Sequence, residues 1–134
     1  MRNPQTRAAA IGRYGCLAMC YLWCAGIRPE SDGEMIRLVS EAMDRGLLDD
    51  ECTVLDAARF LEYFTGRRFR VEKRSVTGID GIAAPAPVRF SHNGNGHWVV
   101  VEGGRIVFNS IADSVCVSEG RPDSARIITE DGQG

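Results

Sequence analysis

Three residues have types and neighbours suited to nucleophilic chemistry. Cys16 follows Gly15 and opens the apolar run of residues 16–25. At the start of a helix the free backbone N–H groups and the positive end of the macrodipole favour a thiolate, so the spacing predicts a lowered thiol pKa. The same N–H groups can stabilise an oxyanion formed beside the sulfur, and Gly15 lets a substrate backbone come close. His97 follows Gly96 and opens a valine-rich strand, where an imidazole is held firmly with one edge free, as a general base requires. Asn109 ends the strand that returns from a Gly103-Gly104 turn, which brings it within reach of His97 to fix the orientation and tautomer of the ring. Asp113 is the alternative orienter. Each residue also has a plain structural reading: free cysteines are among the most buried residue types, and Asn commonly ends strands at turns. His92 falls in a Gly/Asn-rich stretch and reads as solvated.

Helices occupy the first half of the pattern. Residues 16–25 read as a buried helix stopped by Gly26, and Pro29 blocks its continuation. Ser31 and Glu34 form a capping box ahead of Met35, Leu38, Val39 and Ala42, and Gly46 ends that helix. Thr53 with Asp56 reads as a second capping pair before Ala58, Phe60, Leu61 and Phe64, with Gly66 as the stop. Beyond Gly66 the period shortens to two, with Phe69 and Val71 alternating against Arg68, Arg70 and Glu72. Residues 75–87 read as a loop, 87–91 as a short strand and 91–96 as a polar loop. A hairpin of residues 97–102 and 105–109 follows, then short strands at 115–117 and 125–129. Helices followed by antiparallel strands make an α+β fold, with N-terminal helices packed on a C-terminal sheet. The chain reads as one domain over 1–134, with residues 1–9 and 130–134 as flexible ends.

Composition excludes several classes of function. Sixteen Lys and Arg against eighteen Asp and Glu give a net charge of −2, which argues against a polycationic nucleic-acid binder. Arg67, Arg68, Arg70, Lys73 and Arg74 are the one basic cluster; alternation makes most of it a solvated strand face, with an acidic substrate or partner contact as the other use. No apolar run reaches the ~20 residues of a membrane helix. Five cysteines, an odd number, argue against a closed disulfide framework and for a reducing, cytoplasmic setting. Residues 17–25 lack the clean cleavage site of an export signal. Cys16, Cys20 and Cys24 spread over ~12 Å of helix axis, too far for one metal ion to take all three, and no metal or organic cofactor is required.

Cysteine, histidine, then Asn or Asp is the chain order of papain-like enzymes. The segment Tyr14-Gly15-Cys16-Leu17-Ala18-Met19 resembles the nucleophile helix of small bacterial members. Gly96-His97-Trp98-Val99-Val100-Val101, the Gly-Gly turn and Arg105-Ile106-Val107-Phe108-Asn109-Ser110 resemble their histidine hairpin, as in double-glycine leader peptidases. The likeness spans residues 10–118 by architecture and two short motifs by sequence. It implies a papain-like cysteine proteinase fold and a thiol-dependent hydrolase acting on a peptide or other amide bond. Cys16 would be the nucleophile, His97 the base and later the acid, and Asn109 the orienter. The sequence departs from the family in two places. Ala10 stands where a Gln six residues before the cysteine usually donates to the oxyanion, leaving Gln5, Arg13 or the Cys16 backbone N–H as donors; and the family's Asp-Pro is Asn109-Ser110. The same groove without turnover, binding a peptide or protein partner, is the competing reading.

Overall fold

The computed structural model describes residues 4–111 and 113–130, without the side chains of residues 4–6 and 13. Four helices come first: α1 (Pro4–Tyr14), α2 (Cys16–Cys24), α3 (Asp32–Asp44) and α4 (Ala57–Thr65). A five-stranded antiparallel sheet follows, built from β1 (Phe69–Ser75), β2 (Ala86–His92), β3 (Asn95–Glu102), β4 (Arg105–Phe108) and β5 (Arg121–Glu130), with the short helix α5 (Val115–Ser118) before the last strand. The strand order is β1-β5-β2-β3-β4, which makes β4 a free edge beside β3. The fold is α+β, with the N-terminal helices packed on the C-terminal sheet. Among the described residues no helix is long and apolar enough to cross a membrane.

α2 is apolar around its whole circumference and is buried accordingly, with Ala18, Met19, Cys20, Tyr21 and Leu22 in the core. It ends as its sequence predicts: Gly26 takes a φ of 85°, and the Ile27 N–H bonds back to the Leu22 carbonyl at 2.9 Å. Gly15 makes the joint between α1 and α2. Its N–H bonds the Ile11 carbonyl at 2.8 Å, and a Cβ there would stand 2.5 Å from that oxygen. Only glycine fits a joint this tight, and the joint is what lets α2 begin at Cys16.

The two sheet faces have different cover. Val71, Phe108 and Ile128 pack against the helices, and Trp23 of α2 meets Phe108 with ring centroids 6.3 Å apart. Val88, Phe90, Val99, Val101 and Ala125 form a second core on the opposite face, beneath Ile79, Ile82, Cys116 and Val117. Alternation along β3 puts His97 on that second face with Val99 and Val101, and Trp98 on the helix face.

Several expectations are corrected. Residues 4–9, read as a flexible end, begin α1, with Pro4 as its first residue. The helix is fixed by tertiary contacts: Ile11 is fully buried, and Arg7 bonds Asp44 at 2.7 Å and Ser40 at 3.0 Å on α3. Residues 131–134 of the expected C-terminal end lie outside the described residues. Ser31 caps α3 by accepting from the Glu34 N–H at 3.1 Å, but the Glu34 carboxylate pairs with Arg37 instead of reaching back. The cap of α4 is Asp56, not Thr53, because a bridge between Leu48 and Val54 holds that stretch extended. The polar stretch 91–96 is a tight hairpin between β2 and β3, turning at Asn93 (φ 49°) and Gly94 (φ 81°). The expected strand at 115–117 is α5, closed by Val117 and Ser118 N–H bonds to the Ser114 carbonyl.

Candidate active site

β4 stops at Phe108, which pairs with Val100, so the β3 segment 97–99 has no strand beside it on that edge. This leaves a notch in the sheet. Into it come the start of α2 from one side and the residues following β4 from the other.

His97 is 4% exposed, the one buried polar or charged side chain of the core among the described residues, and such a group must be hydrogen-bonded. Its Nε2 lies 2.7 Å from Asn109 Oδ1. The same oxygen accepts from the Ile111 N–H at 3.0 Å, which identifies that atom of the amide as the oxygen and not the nitrogen. An amide oxygen only accepts, so Nε2 carries the proton and, in the neutral ring, Nδ1 keeps its lone pair. Asn109 makes both contacts with one oxygen. It ends its strand through a turn closed on the residue two positions on, and it fixes the His97 tautomer.

Cys16 begins α2, and the N–H groups of Trp98, which β4 would otherwise cover, of Leu17 and of Cys16 itself lie near its sulfur and favour the thiolate. These donors pull the thiol pKa down, but burial outweighs them, and the negative charge of a neighbouring Cys116 thiolate would add to the rise. The expected lowering is thus reversed: the thiol sits above its ordinary value. Helix-start chemistry is present, yet desolvation of the charged form is larger. Cys20, one turn on and fully buried, is pushed up further, and burial takes Cys24 to about 12. All five thiols are free.

The structure thus joins His97 to Asn109 and sets Cys16 against the backbone of the next residue, Trp98. No hydrogen bond links the Cys16 sulfur to the His97 ring among the described residues. Asp113 is exposed, and the bond to the imidazole belongs to Asn109. Gln5 and Arg13 lie on α1, but their side chains fall outside the described residues. His92, read as solvated, is half-buried and lies 3.8 Å from the Glu119 carboxylate. The Trp98 and Ile111 N–H groups and the nearness of Cys116 carry no signal in residue type, because each depends on where β4 ends.

Two cavities flank the notch. One, of about 610 Å³, is lined by Leu17 and Trp98, whose N–H groups meet the sulfur, and extends between α4 and β1. The other, of about 340 Å³, is lined by Gly12, Met19 and Asn109 and reaches the start of α3. Among the described residues no cluster of three His, Cys, Asp or Glu side chains is arranged to hold a metal ion. Comparison with protein-family models, with curated proteins and with solved structures gives no match for this chain.

Proposed function

We propose that the chain is a thiol-dependent hydrolase of papain-like type, a cysteine peptidase or amidase acting on a peptide or other amide bond. The observation that carries this reading is the His97–Asn109 bond of 2.7 Å, which in the neutral ring leaves Nδ1 with its lone pair, one residue before the Trp98 backbone that the Cys16 sulfur lies near. Because burial keeps the resting sulfur as a thiol, the reaction runs by general-base catalysis and not from a standing ion pair. His97 Nδ1 takes the S–H proton as the sulfur attacks the carbonyl carbon. The tetrahedral oxygen then receives N–H donors from the start of α2. The imidazolium returns its proton to the leaving amine as the C–N bond breaks, and water, deprotonated by Nδ1, releases the thioester as an acid and the free thiol. The cavities on either side of the notch would take the two sides of the scissile bond.

A second reading has its own support. A raised thiol and the lack of a Cys16–His97 hydrogen bond suit a papain-like module that holds a peptide or protein partner without turnover. Treatment of the folded protein with a peptidyl chloromethyl ketone, followed by peptide mapping, separates the two. The hydrolase labels at Cys16, leaves Cys20 and Cys24 unmodified, and needs His97. Labelling that is indifferent to His97→Ala selects the binding module.

A further inference from the structure

The larger cavity has a charge arrangement the proposed reaction does not use. Lys73 of β1 and Arg126 of β5 stand directly opposite one another in register, and both line its wall. Like charges at facing positions of an antiparallel pair repel. Among the described residues neither forms an ion pair. Arg126 instead lies over the Trp98 ring, 4.7 Å from its centroid, and donates to Ser124 Oγ at 2.8 Å, while Lys73 is exposed. Two other members of the basic cluster are paired elsewhere: Arg67 with Glu130, and Arg74 with Glu72. Two acids share the cavity. Asp56 uses a carboxylate oxygen to cap α4 through the Arg59 N–H at 3.1 Å, and Glu51 stands exposed on the opposite loop. Trp98 links this cation pair to the sulfur, since its ring carries Arg126 and its N–H meets Cys16.

We infer that this cavity is a specificity pocket for a substrate carboxylate, an Asp or Glu side chain close to the scissile bond, received between Lys73 and Arg126. This rests on the hydrolase reading for the bond that is cut, but the binding itself does not need turnover. A carboxylate placed there neutralises two cations that the fold leaves facing each other, with charge-assisted hydrogen bonds to both. Glu51 opposes it, and so limits how strongly the pocket prefers an acid.

The test has two arms. In the first, N-acetyl-Asp-Ala, N-acetyl-Asn-Ala and N-acetyl-Lys-Ala chloromethyl ketones compete for Cys16 in the full chain. The Asp probe is expected to label about fivefold to tenfold faster than the Asn probe, and the Lys probe slowest. Lys73→Gln and Arg126→Gln should each shrink the Asp/Asn ratio, and Glu51→Gln should raise it. In the second arm, N-acetyl-Ala-Asp-Ala-amide and its Asn counterpart are titrated into the Cys16→Ala protein and followed by amide chemical shifts. The acidic peptide should move residues 71–73 and 126 at lower concentration. Equal affinities in the second arm, or an Asp/Asn ratio untouched by Lys73→Gln, overturn the pocket. Charge preference in binding without His97-dependent labelling keeps the pocket and overturns the hydrolase.

Discussion

β3 has two ends that differ in one respect. At Val100 and Val101 it is paired on both sides, with β2 and with β4; from His97 to Val99 it is paired on one side only. The paired end is sealed, and Val100 and Val101 are fully buried. The half-paired end holds the buried imidazole, a strand N–H near a sulfur, and two flanking cavities. The lesson is that the strand supplies rigidity from its sealed end and, at its open one, the groups that the proposed chemistry would use. Ending β4 a few residues early frees the backbone donor and the space that a site needs, without disturbing the sheet that holds it.

Substitutions at the two ends should separate these jobs. The largest expected effect is at the open end: His97→Ala should slow chloromethyl ketone labelling of Cys16 by about a hundredfold, measured by mass spectrometry of the mapped peptide. At the sealed end, Val100→Ala should lower stability by about 2 kcal/mol in urea unfolding while leaving the labelling rate near wild type. Asn109→Ala touches both properties. It strands the His97 Nε2–H and the Ile111 N–H, so it should cost about 1–3 kcal/mol and slow labelling roughly tenfold, with Asn109→Asp recovering part of the rate.

The smallest effect is on pH dependence. Cys16, Cys20 and Cys24 all have folded pKa values raised from the ordinary 9.0 by burial. The unfolded chain therefore loses these protons first, and stability falls as pH rises past 9.0 toward the folded values while staying level below it. The urea midpoint under reducing conditions should hold up to about pH 9 and decline above it, and Cys24→Ala should make that decline shallower. The same shift moves iodoacetamide alkylation of Cys16 to higher pH than that of a free cysteine.

The residues of the candidate site were legible where local chemistry decides geometry. Gly103 and Gly104 adopt the positive φ values of a two-residue hairpin, and that hairpin brings Asn109 back toward His97. Gly15 and Gly26 delimit α2 as their lack of a Cβ suggests. What was not legible depends on distant contacts. α1 has little periodicity of its own and is held by Arg7 on Asp44 and by the burial of Ile11. The Asn93-Gly94 turn was present as a dipeptide, but Gly96 and the polar neighbours around it masked the hairpin. The Cys16 thiol was misjudged because helix-end electrostatics are local and readable, whereas depth of burial is set by the sheet beneath. The short α5 was misjudged because three residues are too few to tell a period of two from a helical turn.

The central claim is that Asn109 holds His97 with Nδ1 unprotonated at the notch that Cys16 enters. Long-range proton–nitrogen correlation spectra of the imidazole at pH 8 test it most directly, in wild type and in Cys16→Ala. The account predicts the Nε2–H tautomer, with an Nδ1 resonance that moves when the sulfur is removed. An Nδ1–H tautomer, or an Nδ1 resonance indifferent to Cys16, would contradict it.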